Sequence, residues 1–154
     1  MDIKTTFYNT TDVILYEDTV NSIKELFITY DRYISYTFGH LRKYLDNFLL
    51  LNGWSEKIKI DEGSNMTVPA IKNKVGLSFQ TGNAARFYSD MLKFQTLYIQ
   101  NRLDSLIYIV PQNNLATHIN TNTANYERVV KELDIFRNII NMPIVIIGIT
   151  NKED

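Results

Sequence analysis

The sequence predicts an α/β or α+β fold in which helices flank a mixed central β-sheet. The first observation is the order of apolar patterns in the second half of the chain, which runs strand, helix, strand, helix, strand. The second is the segment PIVIIGIT (143–150), whose continuous apolar character is typical of a strand buried on both faces. The third is size, because 154 residues, 45% of them hydrophobic, suffice for one domain with one core. We therefore expect a single domain spanning residues 1–154.

The first third of the chain is predicted to be helical, because two of its segments repeat apolar residues at helical spacing. In the first segment, which begins near Thr19, these residues are Val20, Ile23, Leu26 and Phe27. In the second segment they are Leu41, Leu45, Phe48 and Leu49. Asn52 and Gly53 then end the helix. This gives a helical N-terminal part (1–55) ahead of a core (56–154).

Three strand-like segments open the core. EKIKIDEG (56–63) alternates between polar and apolar residues and then turns. MTVPAIKNK (66–74) contains Pro69, which would interrupt a central ladder but is tolerated at a sheet edge or a strand start. KVGLSFQT (74–81) alternates again and ends at Gly82.

Helices and strands then alternate to the end of the chain. Residues 83–101 form a predicted helix with the apolar stripe Phe87, Met91, Phe94 and Tyr98. DSLIYIVP (104–111) is a predicted strand, and QNNLATHI (112–119) a short helix. Residues 125–141 form a helix with the stripe Val129, Leu133, Phe136 and Ile140. PIVIIGIT is the last strand.

Composition and charge limit the classes of function. The chain has no cysteine, which excludes disulfides and thiolate metal sites. Its net charge of −1 disfavours a protein that coats nucleic acid non-specifically, but not a sequence reader whose basic groups line one cleft. The N-terminus lacks a secretory signal pattern and no apolar run reaches membrane-spanning length, so we expect a cytoplasmic protein without membrane contact. His40 and His118 have no acid or serine at motif spacing and are not expected to be catalytic.

Four sequence words in the second half resemble the BglII/BstYI type of type II restriction endonucleases, a branch of the PD-(D/E)XK nuclease fold. They are KNKVGLSFQTGN, then DSLIYIVP with NNLA, then NYE, and finally PIVIIGI. Their order and spacing match the family from about Pro69 to Ile149, roughly half of the chain. FLLLNGWSE matches more weakly, and the segment between Trp54 and the core strand is shorter than in family members. The resemblance implies a restriction-endonuclease-like sheet and a homodimer that binds double-stranded DNA.

The family's active site combines an Asp with a Glu-x-Gln that follows nine positions later on the next strand. The two acids hold Mg²⁺, which lowers the pKa of the attacking water and neutralises charge on the phosphate. In this chain the pattern places Gln80 on the Gln, Ser78 on the Glu and Pro69 on the Asp. Both acids are missing, so the resemblance implies a degenerate catalytic site with no metal, and no cofactor is expected.

Acids elsewhere could replace the missing pair. Asp61 follows the strand-like KIKI, and Asp90 lies in the helix that comes after the catalytic strand. The alternative interpretation is that Asp61 belongs to a solvated turn and that Asp90 is a polar position of an amphipathic helix. If either acid rescues the site, Mg²⁺ is the expected cofactor.

The polar segment THINTNTANYE (117–127) contains the candidate DNA contacts. In the resembled family this segment faces the DNA major groove, where Asn and Thr side chains can hydrogen-bond base edges. The candidates are Asn120, Thr121, Asn122, Thr123 and Asn125. Alternatively the segment caps the following helix, with Asn122 or Thr123 as the N-cap. Lys72, Lys74 and Arg86 are candidate phosphate contacts, or charges on a solvated edge.

Three functional hypotheses follow. The first is a catalytically degenerate restriction-endonuclease-like protein that binds DNA or a partner protein through the retained fold. The second is an active Mg²⁺-dependent endonuclease of a restriction-modification system, which cleaves a short palindromic site with displaced acids. The third is an inhibitor or decoy module that binds protein and not DNA. Phe94, Leu97 and Tyr98 could form a dimer face, although core packing explains at least two of them more simply.

Overall fold

A computed structural model describes residues 1–10, 17–31 and 38–151 of the chain. Within these ranges the chain forms seven strands and five helices. The strands are β1 (Asp2–Tyr8), β2 (Ile58–Lys59), β3 (Thr67–Val68), β4 (Ala70–Lys72), β5 (Val75–Phe79), β6 (Ser105–Pro111) and β7 (Ile144–Thr150). The helices are α1 (Glu17–Asp31), α2 (Phe38–Leu51), α3 (Ala84–Ile99), α4 (Asn113–Ile119) and α5 (Tyr126–Ile135). No helix in the described ranges is long and apolar enough to cross a membrane.

The central sheet is mixed, as predicted. Its strand order is β1-β7-β6-β5-β4. Strands β5, β6 and β7 are parallel, and the two edge strands β1 and β4 are antiparallel to their neighbours. β2 and β3 form a separate two-stranded ribbon. The parallel strands place their carboxyl ends at one edge of the sheet, where ligands bind in open α/β sheets.

Side-chain alternation on the buried strands divides the core into two layers. On β6, Ile107 and Ile109 pack against α1 and α2, whereas Leu106, Tyr108 and Val110 pack against α3 and α5. The same period of two directs Leu77 and Phe79 of β5 toward α1 and α2. The intervening position Ser78 consequently faces α3, and this orientation determines which residues meet at the sheet edge.

The predicted helical stripes are largely confirmed. Val20, Ile23, Leu26 and Phe27 are buried in α1, as are Leu41, Leu45 and Leu49 in α2. Helix α2 ends where Gly53 adopts a positive φ of 76°, a conformation that glycine adopts without strain. Helix α5 ends earlier than predicted, at Ile135, and Ile140 reaches the core from the turn that follows. Phe94 and Leu97 are fully buried, which makes them core residues and not a dimer face.

Strand β1 is the main difference from the predicted elements, since Asp2–Tyr8 lies in the N-terminal part that was expected to be helical. Its seven residues pair with β7, from Asp2 opposite Thr150 to Tyr8 opposite Ile144. The strand is at the edge of the sheet and is mostly polar, with only Tyr8 buried. The backbone pairing offered by β7 therefore specifies β1, and the side-chain pattern of β1 alone is too weak to predict it.

Gly76 permits a close approach between β5 and α3. A Cβ atom at this position would lie 2.7 Å from Cε1 of Phe94 and 3.0 Å from Cδ1 of Leu103. Both neighbours are fully buried ring or branched side chains with little room to move. The absence of a side chain at Gly76 thus sets how near α3 lies to the strand that it covers.

We predict that Gly76→Ala lowers the free energy of unfolding by about 1–3 kcal/mol, the usual cost of overpacking a core. The control is Gly39→Ala in α2, where a Cβ would meet no atom within 4 Å. That variant should be neutral or slightly stabilising, because alanine favours a helix over glycine. Denaturant unfolding followed by circular dichroism measures both, and equal stabilities for the two variants would contradict the close approach.

Candidate functional site

An open cleft of about 370 Å³ lies at the carboxyl end of β5. Its lining includes charged and polar side chains from four parts of the chain. These residues are Lys57, Thr67, Pro69, Gln80, Arg86, Ser89, Asp90 and Lys93. The cleft contains four of the sequence-predicted site residues, Pro69, Gln80, Arg86 and Asp90, and the buried side chain of Ser78 adjoins it.

The carboxylate of Asp90 is the centre of a hydrogen-bond network that joins α3 to two strands. Gln80 donates from Nε2 to Oδ2 of Asp90 at 2.6 Å, and the Tyr108 hydroxyl donates to the same oxygen at 3.2 Å. The Ser78 hydroxyl adds a further hydrogen bond to this carboxylate. The Lys93 ammonium lies 4.0 Å from the other oxygen, Oδ1. The Asp90 side chain is only 13% exposed, so these donors replace water around it.

A second hydrogen bond fixes the orientation of the Gln80 amide. Its Oε1 accepts from the backbone N–H of Gly82 at 2.8 Å. Because Oε1 must face this donor, Nε2 must face Asp90, and the two ends of the amide cannot be exchanged. Gln80 therefore links the end of β5, the following turn and α3 in one arrangement.

The environment of the network changes two pKa values. Burial raises the pKa of Asp90, and the hydrogen bond from Gln80, the Lys93 charge and the hydrogen bonds from Tyr108 and Ser78 oppose this rise. Burial, reinforced by the neighbouring Asp90 carboxylate, raises the pKa of Tyr108 well above its ordinary value. Tyr108 accordingly keeps its proton and acts as a donor to Asp90.

Three cations line the same cleft as this carboxylate. Lys57 comes from the segment before β2, and Arg86 and Lys93 from α3. Lys93 has its long contact to Asp90, whereas no ion pair of Lys57 or Arg86 occurs among the described residues. The Arg86 side chain lies over Gly82, where a Cβ would be 2.5 Å from Cδ of Arg86. Gly82 thus leaves space for the arginine at the cleft.

The polar loop, residues 120–125, lies beside the cleft. The Ala84 N–H donates to the Asn122 carbonyl at 3.1 Å, and the Ala124 N–H donates to the Gly82 carbonyl at 2.9 Å. These bonds attach the loop to the turn that follows Gln80. The side chains of Asn120, Thr121 and Asn122 are exposed there.

The polar loop also caps α5, but through a different residue from the two predicted. Asn125 is the N-cap, and its Oδ1 accepts from the Arg128 N–H at 2.9 Å. The prediction that Asn122 or Thr123 caps this helix is wrong, because the helix begins at Tyr126. Thr123 is buried in a bridge with Asn83. Asn120, Thr121 and Asn122 remain the members of the set that face solvent.

Lys72, Lys74 and Asp61 lie away from the cleft. Lys72 pairs with Val75 at the start of β5 and donates to the Asn52 carbonyl at 2.6 Å. Lys74 contacts Asp104 at 3.9 Å. Since β5 rises roughly 3.3 Å per residue, Lys74 is about 20 Å from Gln80 along the strand. Asp61 is exposed in the turn between β2 and β3 and is not part of the cleft lining.

Several residues of the site carry no local sequence signal. Lys57 lines the cleft and the buried Tyr108 contacts Asp90 beneath it, and both come from parts of the chain that are distant from Gln80 in sequence. Arg42 of α2 supports the same strand end from the other face, donating to the Phe79 carbonyl at 2.8 Å and covering the Phe79 ring at 5.2 Å. Lys93 alone could have been found, as the residue three positions after Asp90 on the same helix.

A comparison with family models identifies the chain's relatives. The model described as restriction endonuclease BglII/BglIII matches residues 7–149, almost the whole chain. The chain belongs to this family. No curated protein sequence matches it.

Two solved structures confirm the restriction-endonuclease fold. The crystal structure of BglII complexed with a DNA 16-mer superposes with a TM-score of 0.81 at 17% identity, covering 100% of this chain and 79% of BglII. The crystal structure of free BglII gives a TM-score of 0.72 at 20% identity, covering 100% and 81%. At such identities the likeness establishes the fold, whereas the chemistry of the site must be argued from its own residues.

The family uses Mg²⁺, and the residues of the cleft are a poor match for that ion. Mg²⁺ requires anionic oxygen ligands in tight octahedral geometry. Among the residues that the structure describes, no group of three or more His, Asp or Glu side chains could hold a metal. The one carboxylate of the lining, Asp90, already accepts hydrogen bonds from Gln80 and Tyr108. The three cations would in addition repel a divalent ion.

We predict that Asp90 makes the stability of the protein depend on pH. Because its pKa is higher in the folded protein than its ordinary 3.8, the fold binds the proton more tightly than the unfolded chain does. The contribution of Asp90 is thus most favourable at low pH and declines as pH rises from about 4 through its folded pKa. Asp90→Asn, which keeps an oxygen for Gln80 and Tyr108, lacks this dependence.

The measurement is the difference in unfolding free energy between the wild type and Asp90→Asn from pH 4 to 8. As pH rises, the unfolding free energy of the wild type should fall relative to that of Asp90→Asn, and the difference should then become constant. A difference that is flat, or that moves in favour of the wild type, would show that burial does not dominate at Asp90.

Proposed function

We propose that this protein binds double-stranded DNA through the retained endonuclease fold and does not cleave it with Mg²⁺. The observation that carries the proposal is the state of Asp90. It is the one acid among the described residues of the cleft lining, and its carboxylate is engaged by Gln80, Tyr108 and Ser78. Pro69 and Ser78 occupy the positions where the family pattern has its acids, and neither is an anionic ligand.

Loss of the two acids removes the electrostatic basis of cleavage. Metal-dependent hydrolysis needs a cation that activates water and stabilises the charge on the phosphate, and removal of such stabilisation costs several kcal/mol. Pro69 contributes no ligand at all. Ser78 is 2% exposed and its hydroxyl is directed to Asp90, away from solvent. Cleavage at this cleft is accordingly expected to be absent or very slow.

The surface around the cleft supports DNA binding. BglII was solved with a DNA 16-mer, and its fold covers the whole of this chain. The exposed amides of Asn120 and Asn122 lie next to the cleft, and an Asn side chain can pair with the N6 and N7 atoms of adenine. We assign base contacts to Asn120, Thr121 and Asn122. Asn125 contributes indirectly, because it caps α5 at the end of the loop. Lys72 and Lys74 would contact only phosphates far from the cleft.

Assembly and location complete the proposal. We propose a homodimer, since a palindromic DNA site is matched by a two-fold protein. Phe94 and Leu97 cannot form its interface because both are buried in the core. The site of action is the cytoplasm, where the DNA of such a system lies.

A second candidate is favoured by the position of Asp90 itself. The structure brings this helix acid to Gln80 and Ser78, which is the place where a displaced catalytic acid would have to lie. In this version the protein is an active Mg²⁺-dependent endonuclease. Asp61 does not contribute to the cleft lining, so Asp90 would have to act without a second acid from that turn.

We predict salt-dependent binding to duplex DNA without cleavage. The probe is a pool of random 30-base-pair duplexes, with binding measured by gel shift across a salt series, complex mass by light scattering, and cleavage in 10 mM Mg²⁺. Binding with a mass of two chains per duplex and no cut product supports the proposal. Cleavage that is lost in Asp90→Asn would establish the active endonuclease instead. If the protein binds no duplex at any salt concentration, the remaining hypothesis is a module that binds protein and not DNA.

We further predict that Pro69→Asp together with Ser78→Glu introduces a binding site for Mg²⁺. The two acids would join Asp90 at one strand end and supply the anionic ligands that the ion needs. Isothermal titration with Mg²⁺ and a nicking assay on plasmid DNA measure the outcome. The control, Lys72→Gln with Lys74→Gln, changes the net charge by the same amount at the opposite end of β5 but adds no anionic ligand, and it should bind no Mg²⁺. Equal results from both pairs would refute the alignment of Pro69 and Ser78 with the family's acids.

A further inference from the structure

The cleft has an excess of positive charge that the family's metal-dependent chemistry does not require. Lys57, Arg86 and Lys93 line it against the single carboxylate of Asp90. The chain as a whole has a net charge of −1, so this local excess is not a reflection of overall composition. A site lined mainly by one sign of charge concentrates ligands of the opposite sign.

We propose that Lys57, Arg86 and Lys93 bind a phosphate group directly in the cleft, in place of the metal ion. This deepens the proposed function, because it names a DNA backbone phosphate as the group held at the strand end. Free inorganic phosphate shares the same chemistry and is the other possible source.

The two lost acids are what makes the cleft suitable for an anion. With acids at positions 69 and 78, three carboxylates would balance the three cations, and a phosphate would need a metal to bridge the charges. With Pro69 and Ser78, only Asp90 opposes them, and its carboxylate accepts hydrogen bonds from Gln80, Tyr108 and Ser78. The cations are therefore available to a ligand.

Arg86 is the best-placed phosphate ligand of the three. Its guanidinium can present two parallel N–H donors to phosphate oxygens. Among the described ion pairs none involves Arg86 or Lys57, so neither has to leave a carboxylate before it binds. The hydroxyl-bearing residues Thr67 and Ser89 also line the cleft and can supply neutral donors.

The space above Gly82 determines where the Arg86 side chain lies, and it can be filled without changing the charge of the cleft. A methyl group here would lie 2.5 Å from Cδ of Arg86 and 2.8 Å from Oε1 of Gln80. Gly82→Ala should consequently displace the arginine from the cleft while the net charge stays the same. The backbone of Gly82 does not have a positive φ, so alanine brings no backbone strain at this position.

The test measures affinity for a random 30-base-pair duplex pool with EDTA present, so that no divalent ion contributes. Arg86→Gln, Lys93→Gln and Lys57→Gln should each weaken binding by about tenfold and reduce the slope of log affinity against log salt by about one. Gly82→Ala should weaken binding to a similar degree. Asp90→Asn should strengthen it, because it removes the one opposing charge.

Matched controls separate the cleft from the general charge of the protein. Lys131→Gln removes an exposed lysine from α5, and Gly39→Ala adds a methyl group in open space on α2. Both should bind like the wild type. Equal unfolding free energies, measured for every variant, establish that lost binding is not lost folding.

A second arm titrates inorganic phosphate at constant ionic strength by calorimetry and distinguishes the sources. If the wild type binds no duplex but binds phosphate, and Arg86→Gln does not, the phosphate site holds and the proposed DNA function fails. If duplex binding is strong and the cleft variants match Lys131→Gln, DNA binding holds and the phosphate site is refuted. If every variant binds DNA only when Mg²⁺ is present, and Asp90→Asn binds more weakly than the wild type, the cleft is a metal centre and the phosphate site is refuted.

Discussion

The hydrogen bond between Gln80 and Asp90, 2.6 Å long, is the interaction on which the arrangement of the site depends. It joins the end of β5 to the helix that crosses above it, while Tyr108 ties the same carboxylate to β6. Loss of any one partner would leave a buried donor or acceptor unpaired, at a cost of about 1–3 kcal/mol. The network thus holds the end of β5 against α3 and β6.

The same network determines what the cleft can bind. Gln80 and Tyr108 both donate to one oxygen of the Asp90 carboxylate, and the other oxygen lies 4.0 Å from the Lys93 ammonium. Ser78 is buried on the α3 side, where its hydroxyl hydrogen-bonds Asp90 and not solvent. The cleft is accordingly lined by three cations and one carboxylate, and it is bordered by a polar loop with exposed Asn and Thr side chains.

The fold was largely predictable because its strands and helices carry strong periodic signals. The apolar stripe of α3 and the continuous apolar run of β7 predicted both elements and their burial. The four short motifs that resemble the endonuclease family predicted the family. Strand β1 was not predicted, since an edge strand with one buried residue is defined by its partner and not by its own pattern. Asp90 was identified only as one of two acids, and its contact with Gln80 became evident from the packing of α3 on β5.

The sequence by itself determined the buried strands, the helix faces and the absence of acids at Pro69 and Ser78, because each depends on residue identity or local spacing. Only the tertiary structure decided which charges share the cleft. Lys57 joined Arg86 and Lys93 there, whereas Lys72 and Lys74 were placed at the opposite end of β5. The physical reason is that local periodicity specifies the direction of a side chain within its element, while the meeting of distant elements depends on how their apolar faces pack.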